Sequence, residues 1–144
     1  MDIFKPYHNI KIVPKMQYDT SMLYTSLKDK IPNDSKSEVI YKINCKDCNK
    51  SYIGQTKRFI RTRTNEHRND IKNKNAKTGL AHHALIEGHS FDLENPIILD
   101  TESHKNKRIF MEMCNIWKNH KNCTNFQNDT EPLSKIYHFL IDKI

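Results

Sequence analysis

Hydrophobic and polar positions show no sustained period over the first part of the chain, where Pro6, Pro14 and Pro32 interrupt it. Residues 1–37 therefore read as an extension or linker, ahead of a domain over 38–144. From Val39 the pattern sharpens. V-I-Y-K-I alternates, so Val39, Tyr41 and Ile43 share one face of a strand while Ile40 and Lys42 share the other. S-Y-I-G predicts a second short strand, close enough to the first for a hairpin with Cys45 and Cys48 at its tip. The next stretch, T-K-R-F-I-R-T-R-T-N-E-H-R-N-D-I-K-N, predicts a helix with Thr56 as its N-cap. Its stripe through Phe59, Ile60 and Ile71 also carries Arg63, Thr64 and His67. A partly charged inward face breaks ordinary patterning, and such breaks tend to mark function. The plainer reading is a short stripe on which Arg63 lays its apolar stem and keeps its charge in water.

G-L-A-H-H-A-L-I-E-G-H predicts a helix ended by Gly88, with His83 on it and His89 just beyond. P-I-I-L-D predicts a third strand. H-K-N-K-R-I-F-M-E-M-C-N-I-W-K predicts an amphipathic helix with the stripe Ile109, Phe110, Met113, Ile116 and Trp117, and Glu112 at its edge. After Asp129 and Thr130, Leu133, Ile136, Tyr137, Leu140, Ile141 and Ile144 predict a last helix whose face serves the core or a partner. No internal repeat is present. The fold class these elements imply is α/β of the α+β kind: a small, mainly antiparallel three-stranded sheet flanked by helices, with a metal site at one end.

Composition narrows the function. Hydrophobic residues make up 36% of the 144 and charged ones 28%, which implies a compact core under a charged surface. No apolar run approaches the roughly 20 residues of a membrane helix, and the start lacks a signal-peptide pattern, so the chain reads as soluble and intracellular. The 24 Lys and Arg against 17 Asp and Glu give a formal charge of +7, the footprint of a polyanion binder, though a solvated basic face gives the same count. Four cysteines without a secretory signal argue for reduced thiols rather than a disulfide scaffold. Cys45-x-x-Cys48 with His83 and His89 then supplies two thiolates and two imidazoles, a complete tetrahedral set for structural Zn²⁺. His82 competes with His83 for this role, and the alternative is two reduced surface cysteines with unrelated histidines. Cys114 reads as a small core residue and Cys123 as a loop residue with no partner at metal spacing.

The segments V-I-Y (39–41) and Y-I-G (52–54), the basic helix with Arg63 and His67, the later Glu112 and then Asn125 resemble the GIY-YIG nuclease family. K-D-K-I-P, Y-K-I-N-C-K-D-C-N-K-S-Y-I-G-Q-T, A-H-H, E-G-H and D-T-E-P-L-S-K-I-Y resemble more narrowly the endonuclease domain of Penelope-like retroelements, over roughly residues 28–144. There the domain follows a reverse transcriptase and carries a C-C-H-H zinc motif. The family's first glycine is Val39 here, or Glu38 if the preceding position corresponds. The resemblance implies a nuclear, metal-dependent DNA endonuclease that nicks target DNA, with a reverse-transcriptase domain as a partner in the parent element. Glu112 would hold Mg²⁺ or Mn²⁺, Tyr41 act as general base, Tyr52 orient water or phosphate, and Arg63 stabilise added charge. His67 would help deprotonate a tyrosine or contact phosphate, and Asn125 would bind phosphate or backbone. Lys57, Arg58 and Arg61 are candidate nucleic-acid contacts, and Gly54 would let a DNA backbone approach. Two other classes stand beside the enzyme: a zinc-stabilised nucleic-acid-binding module without catalysis, and an interaction domain docking through its last helix.

Overall fold

The computed structural model describes residues 31–133; the helix expected after Thr130 lies almost wholly outside them. The described part is a small α+β fold. Strands β1 (Val39–Asn44), β2 (Ser51–Thr56) and β3 (Ile97–Thr101) form one antiparallel sheet in the order β2-β1-β3. Helices α1 (Ile60–Lys72), α2 (Gly79–Glu87) and α3 (Lys105–Lys118) complete it. No helix among the described residues is long and apolar enough to cross a membrane.

The alternation in β1 sorts its side chains as the sequence predicts, and both faces are covered. Val39, Tyr41 and Ile43 pack with Ile60 of α1 and Leu80 and Ala84 of α2, while Ile40 joins Ile53 and Ile116 of α3 on the opposite face. β1 is thus the central strand of a three-layer arrangement, which accounts for its nearly continuous burial. The register puts Tyr41 opposite Gly54 and Ile43 opposite Tyr52, so both tyrosines rise from one face of neighbouring strands.

Two helix expectations are corrected. Thr56 does not cap α1: it is the last residue of β2, and its hydroxyl accepts from the Arg58 N–H at 3.0 Å to close a local turn. Helix α1 begins four residues later, and its leading N–H, on Ile60, donates instead to the Lys36 carbonyl at 2.9 Å. Phe59 consequently falls before the helix and is 47% exposed, leaving Ile60, Thr64 and His67 as the buried face. Along α3, Met113 and Ile116 are buried as the stripe predicts, Cys114 is only half-buried, and Phe110 lies at the surface. The buried residue that the stripe missed is Arg108.

Candidate metal centre and active site

The hairpin tip, residues 45–50, is stitched to the segment after α2. Cys45 pairs with Phe91 as an isolated bridge, the Lys46 N–H donates to the Ser90 carbonyl at 2.8 Å, and the Ser90 N–H donates to Asp47 Oδ2 at 2.6 Å. Gly88, in the left-handed conformation at φ 68°, ends α2 and turns the chain so that His89 comes back toward the tip. The result is one cluster in which ligand atoms of Cys45, Cys48, His83 and His89 all lie within 4.8 Å of one another. Cys48 Sγ is 3.5 Å from His83 Nε2, which is 3.1 Å from His89 Nδ1. Zinc bond lengths on a tetrahedron give edges of about 3.6 Å for S to N and about 3.3 Å for N to N, so the donors already stand near the spacing of a closed structural site. Burial pushes the Cys45 thiol up and the His83 imidazole down, the latter keeping the ring in its neutral, ligand-competent form. His83 rather than His82 belongs to the set; His82 is exposed and packs edge-on against Phe126.

About half-way down the same hairpin a second cluster forms. The Tyr41 hydroxyl lies 2.9 Å from His67 Nε2 and accepts from Arg63 Nε at 3.2 Å. Tyr52 stacks edge-on against His67 with ring centroids 5.2 Å apart. The Tyr41–His67 hydrogen bond runs either way according to the ring tautomer; where the phenol donates to Nε2, the imidazole hydrogen sits on Nδ1. Nδ1 is the buried side-chain polar atom that has no hydrogen-bond partner among the described residues. Leaving it so costs on the order of 1–3 kcal/mol, a deficit of the kind found at functional sites.

The electrostatics tie this cluster to α3. Burial pushes Tyr41 far above the ordinary phenol value; Tyr52 is pushed up to about 12, also by burial, with Arg63 opposing the rise and Glu112 adding to it. Burial lowers His67 to about 3, helped by the adjacent Arg63 cation. Glu112 is pushed up to about 7 by burial and then by Asp129, against the pull of the Gln55 backbone, Arg63 and Arg108. Tyr41, Tyr52, Arg63, His67 and Glu112 therefore share one site, reached from four elements.

The remaining expected residues go elsewhere. Asn125 acts as a mock strand partner: its Oδ1 accepts from the Ile53 N–H at 2.9 Å and its Nδ2 donates to the Ile53 carbonyl at 2.8 Å and to Asp129. Both amide hydrogens are thereby committed to the protein rather than to phosphate, which makes Asn125 a backbone ligand that positions β2. At Gly54 a Cβ would lie 2.7 Å from the Tyr41 hydroxyl, so the missing side chain makes room for the tyrosine. Arg58 and Arg63 grip the carboxylate of Glu66 from two sides. Arg61 turns away, its guanidinium 5.5 Å above the Phe59 ring. Val39 is a fully buried core residue, and the left-handed backbone falls one residue earlier, at Glu38 with φ 57°. No family model matches the chain, and neither a curated protein nor a solved structure matches it.

Proposed function

We propose that the protein is a metal-dependent endonuclease of the GIY-YIG kind that nicks DNA. One observation carries this reading: the Tyr41 phenol is held between an imidazole at 2.9 Å and a guanidinium at 3.2 Å, with the Tyr52 ring centroid 6.5 Å from its own and Glu112 within electrostatic reach. A phenol is a poor base near neutral pH unless its proton has somewhere to go and its anion is compensated. His67 Nε2 provides the first and Arg63 the second. In the free protein the proton rests on Tyr41, since burial opposes both the phenolate and the imidazolium. A phosphodiester bound beside Arg63 brings negative charge that raises the imidazole's proton affinity. The proton then passes to His67, and the phenolate takes one from the attacking water. Tyr52 orients that water or the phosphate, and Arg63 stabilises the charge added as the bond breaks.

Glu112 fits as a carboxylate for Mg²⁺, an ion that takes one or two carboxylates and completes its shell with water and phosphate. The rise of Glu112 to about 7 marks a half-buried carboxylate with Asp129 pressing on it, a place where a cation relieves the desolvated charge. Bound there, Mg²⁺ would supply electrostatic stabilisation to the phosphate and the leaving oxygen. The C-C-H-H cluster would hold Zn²⁺ with no open position, and so serves structure. The retroelement setting, the nuclear site of action and a reverse-transcriptase partner belong to this proposal through the resemblance.

A second reading, a zinc-stabilised DNA-binding module without catalysis, is favoured by the complete burial of Tyr41. Incubating supercoiled plasmid with zinc-loaded protein and Mg²⁺ separates them. Open-circle product that disappears in Glu112→Ala supports the enzyme; DNA binding with no product from the folded wild type supports the module.

A further inference from the structure

Between the end of β2 and the first turns of α3 lies a cleft of about 430 Å³ that the proposed chemistry touches only through Arg63. Its walls carry Lys57, Arg58, Arg63, Lys105 and Arg108, five cations with no carboxylate among the lining residues. Two of these, Arg58 and Arg63, are partly neutralised by Glu66. Lys57, Lys105 and Arg108 form no ion pair among the described residues.

Arg108 sets the cleft apart from a solvated basic patch. It is 2% exposed, yet every acceptor that holds it is neutral: Nε donates to Gln55 Oε1 at 2.8 Å, and Nη1 donates to the carbonyls of Glu102 at 2.8 Å and Ser103 at 3.2 Å. Nη2 donates to no acceptor among the described residues and is not a buried atom, so it is the edge of the guanidinium that reaches solvent. A guanidinium whose hydrogen-bond partners are all neutral carbonyls, and whose charge is felt only at longer range by Glu112, keeps positive charge for an anion in the cleft to meet. Three anchoring hydrogen bonds also fix the group in place, so little entropy is lost when an anion arrives. Gln55 links the cleft to the site next door, because its side chain holds Arg108 while its backbone acts on Glu112. Arg63 belongs to both.

We infer that this cleft seats a backbone phosphate of duplex DNA next to the one being cut, with Arg108 as its fixed floor and Lys57 and Lys105 as its mobile walls. Arg63 then stands between two consecutive phosphates. The inference rests on the nucleic-acid part of the reading above, and it does not require cleavage. It extends the binding surface onto α3 through two residues, Lys105 and Arg108, which the basic run at 57–61 does not include.

The test is a titration of the zinc-loaded full chain with a fluorescein-labelled DNA duplex, without Mg²⁺, over a series of KCl concentrations. Lys57 and Lys105 are exposed, so Lys57→Gln/Lys105→Gln alters the cleft without disturbing the core. The expected result is weaker binding at each salt concentration and a log–log salt slope shallower by about 0.9, the value of one lost phosphate contact. Lys118→Gln/Lys121→Gln removes the same charge beyond the other end of α3, roughly 20 Å away along the helix, and leaves the slope unchanged. An unaltered slope in the first variant, or an equal change in both, would overturn the inference, as would a wild type that does not bind the duplex. A protein that shows the expected slopes and never nicks plasmid keeps the phosphate seat and loses the catalytic reading.

Discussion

The tip of the β1–β2 hairpin and its middle are held together by opposite kinds of interaction. At the tip, four donors from the turn, from α2 and from the segment after it converge within 4.8 Å of one another, an arrangement that could hold a metal ion. In the middle, Tyr41, Arg63 and His67 satisfy one another by hydrogen bonds and leave one ring nitrogen over. The tip is thus a cluster that could hold a metal, and the middle a hydrogen-bonded set that on the proposed reading moves a proton. Burial acts on both, lowering His83 and His67 and favouring their neutral rings.

The largest effect that would sharpen this contrast is removal of the metal. Chelation, or Cys48→Ser, is expected to remove on the order of 10 kcal/mol and abolish the cooperative melt, whereas Tyr41→Phe retains it. Circular-dichroism melts with zinc quantified on each sample measure this. A metal-free protein that melts like the zinc-loaded one would end the distinction.

Acid comes next. His67 falls to about 3 in the folded protein from the ordinary imidazole value of 6.5, so its neutral form stabilises the fold fully above about pH 6.5 and progressively less as pH drops toward 3. The loss across that window is at most about 4 kcal/mol. Zinc release adds an acid slope of its own, so the informative quantity is the difference between wild type and His67→Gln at matched pH in urea melts. The variant should lose stability less steeply; parallel slopes would mean that the ring is not held neutral.

A smaller loss, about 1–3 kcal/mol, is expected for Asn125→Ala, which leaves the Ile53 N–H and carbonyl without their clamp. It should loosen β2 and leave the zinc content unchanged. The smallest effect is a gain. Glu38 holds a left-handed backbone at φ 57°, so Glu38→Gly should stabilise the protein by less than about 1 kcal/mol, after the glycine's extra freedom in the unfolded chain is counted. A lowered melting temperature would show that the Glu38 side chain does more than tolerate the turn.

Much of this was legible in the residues because the signals are local. Alternation over V-I-Y-K-I marked the central strand, Gly88 ended α2, and the C-x-x-C with two later histidines marked the cluster that could hold a metal. The charged stripe of α1 pointed at His67, whose buried face the structure shows. What the sequence hid depends on contacts across long separations. Asn125 meets Ile53 72 positions away, so a loop asparagine gave no sign that it would imitate a strand. Arg108 was passed over because helical patterning assigns arginine to solvent, and the Gln55 side chain that helps hold it inside comes from 53 positions away. The close approach of the Tyr41 ring to Gly54 was hidden too, because a cross-strand neighbour's ring position cannot be read from spacing. Thr56 failed as a cap because β2 runs two residues past Y-I-G and claims it.

The measurement that bears most directly on the division of labour is the nicking rate of zinc-loaded Tyr41→Phe on supercoiled plasmid with Mg²⁺, taken with its melting curve. The substitution removes one oxygen and spares the ring that fills the core. A melt like that of the wild type, with nicking reduced by about 10²–10⁴-fold, is the predicted result. Nicking at the wild-type rate would contradict the account and take the base out of the proposed site.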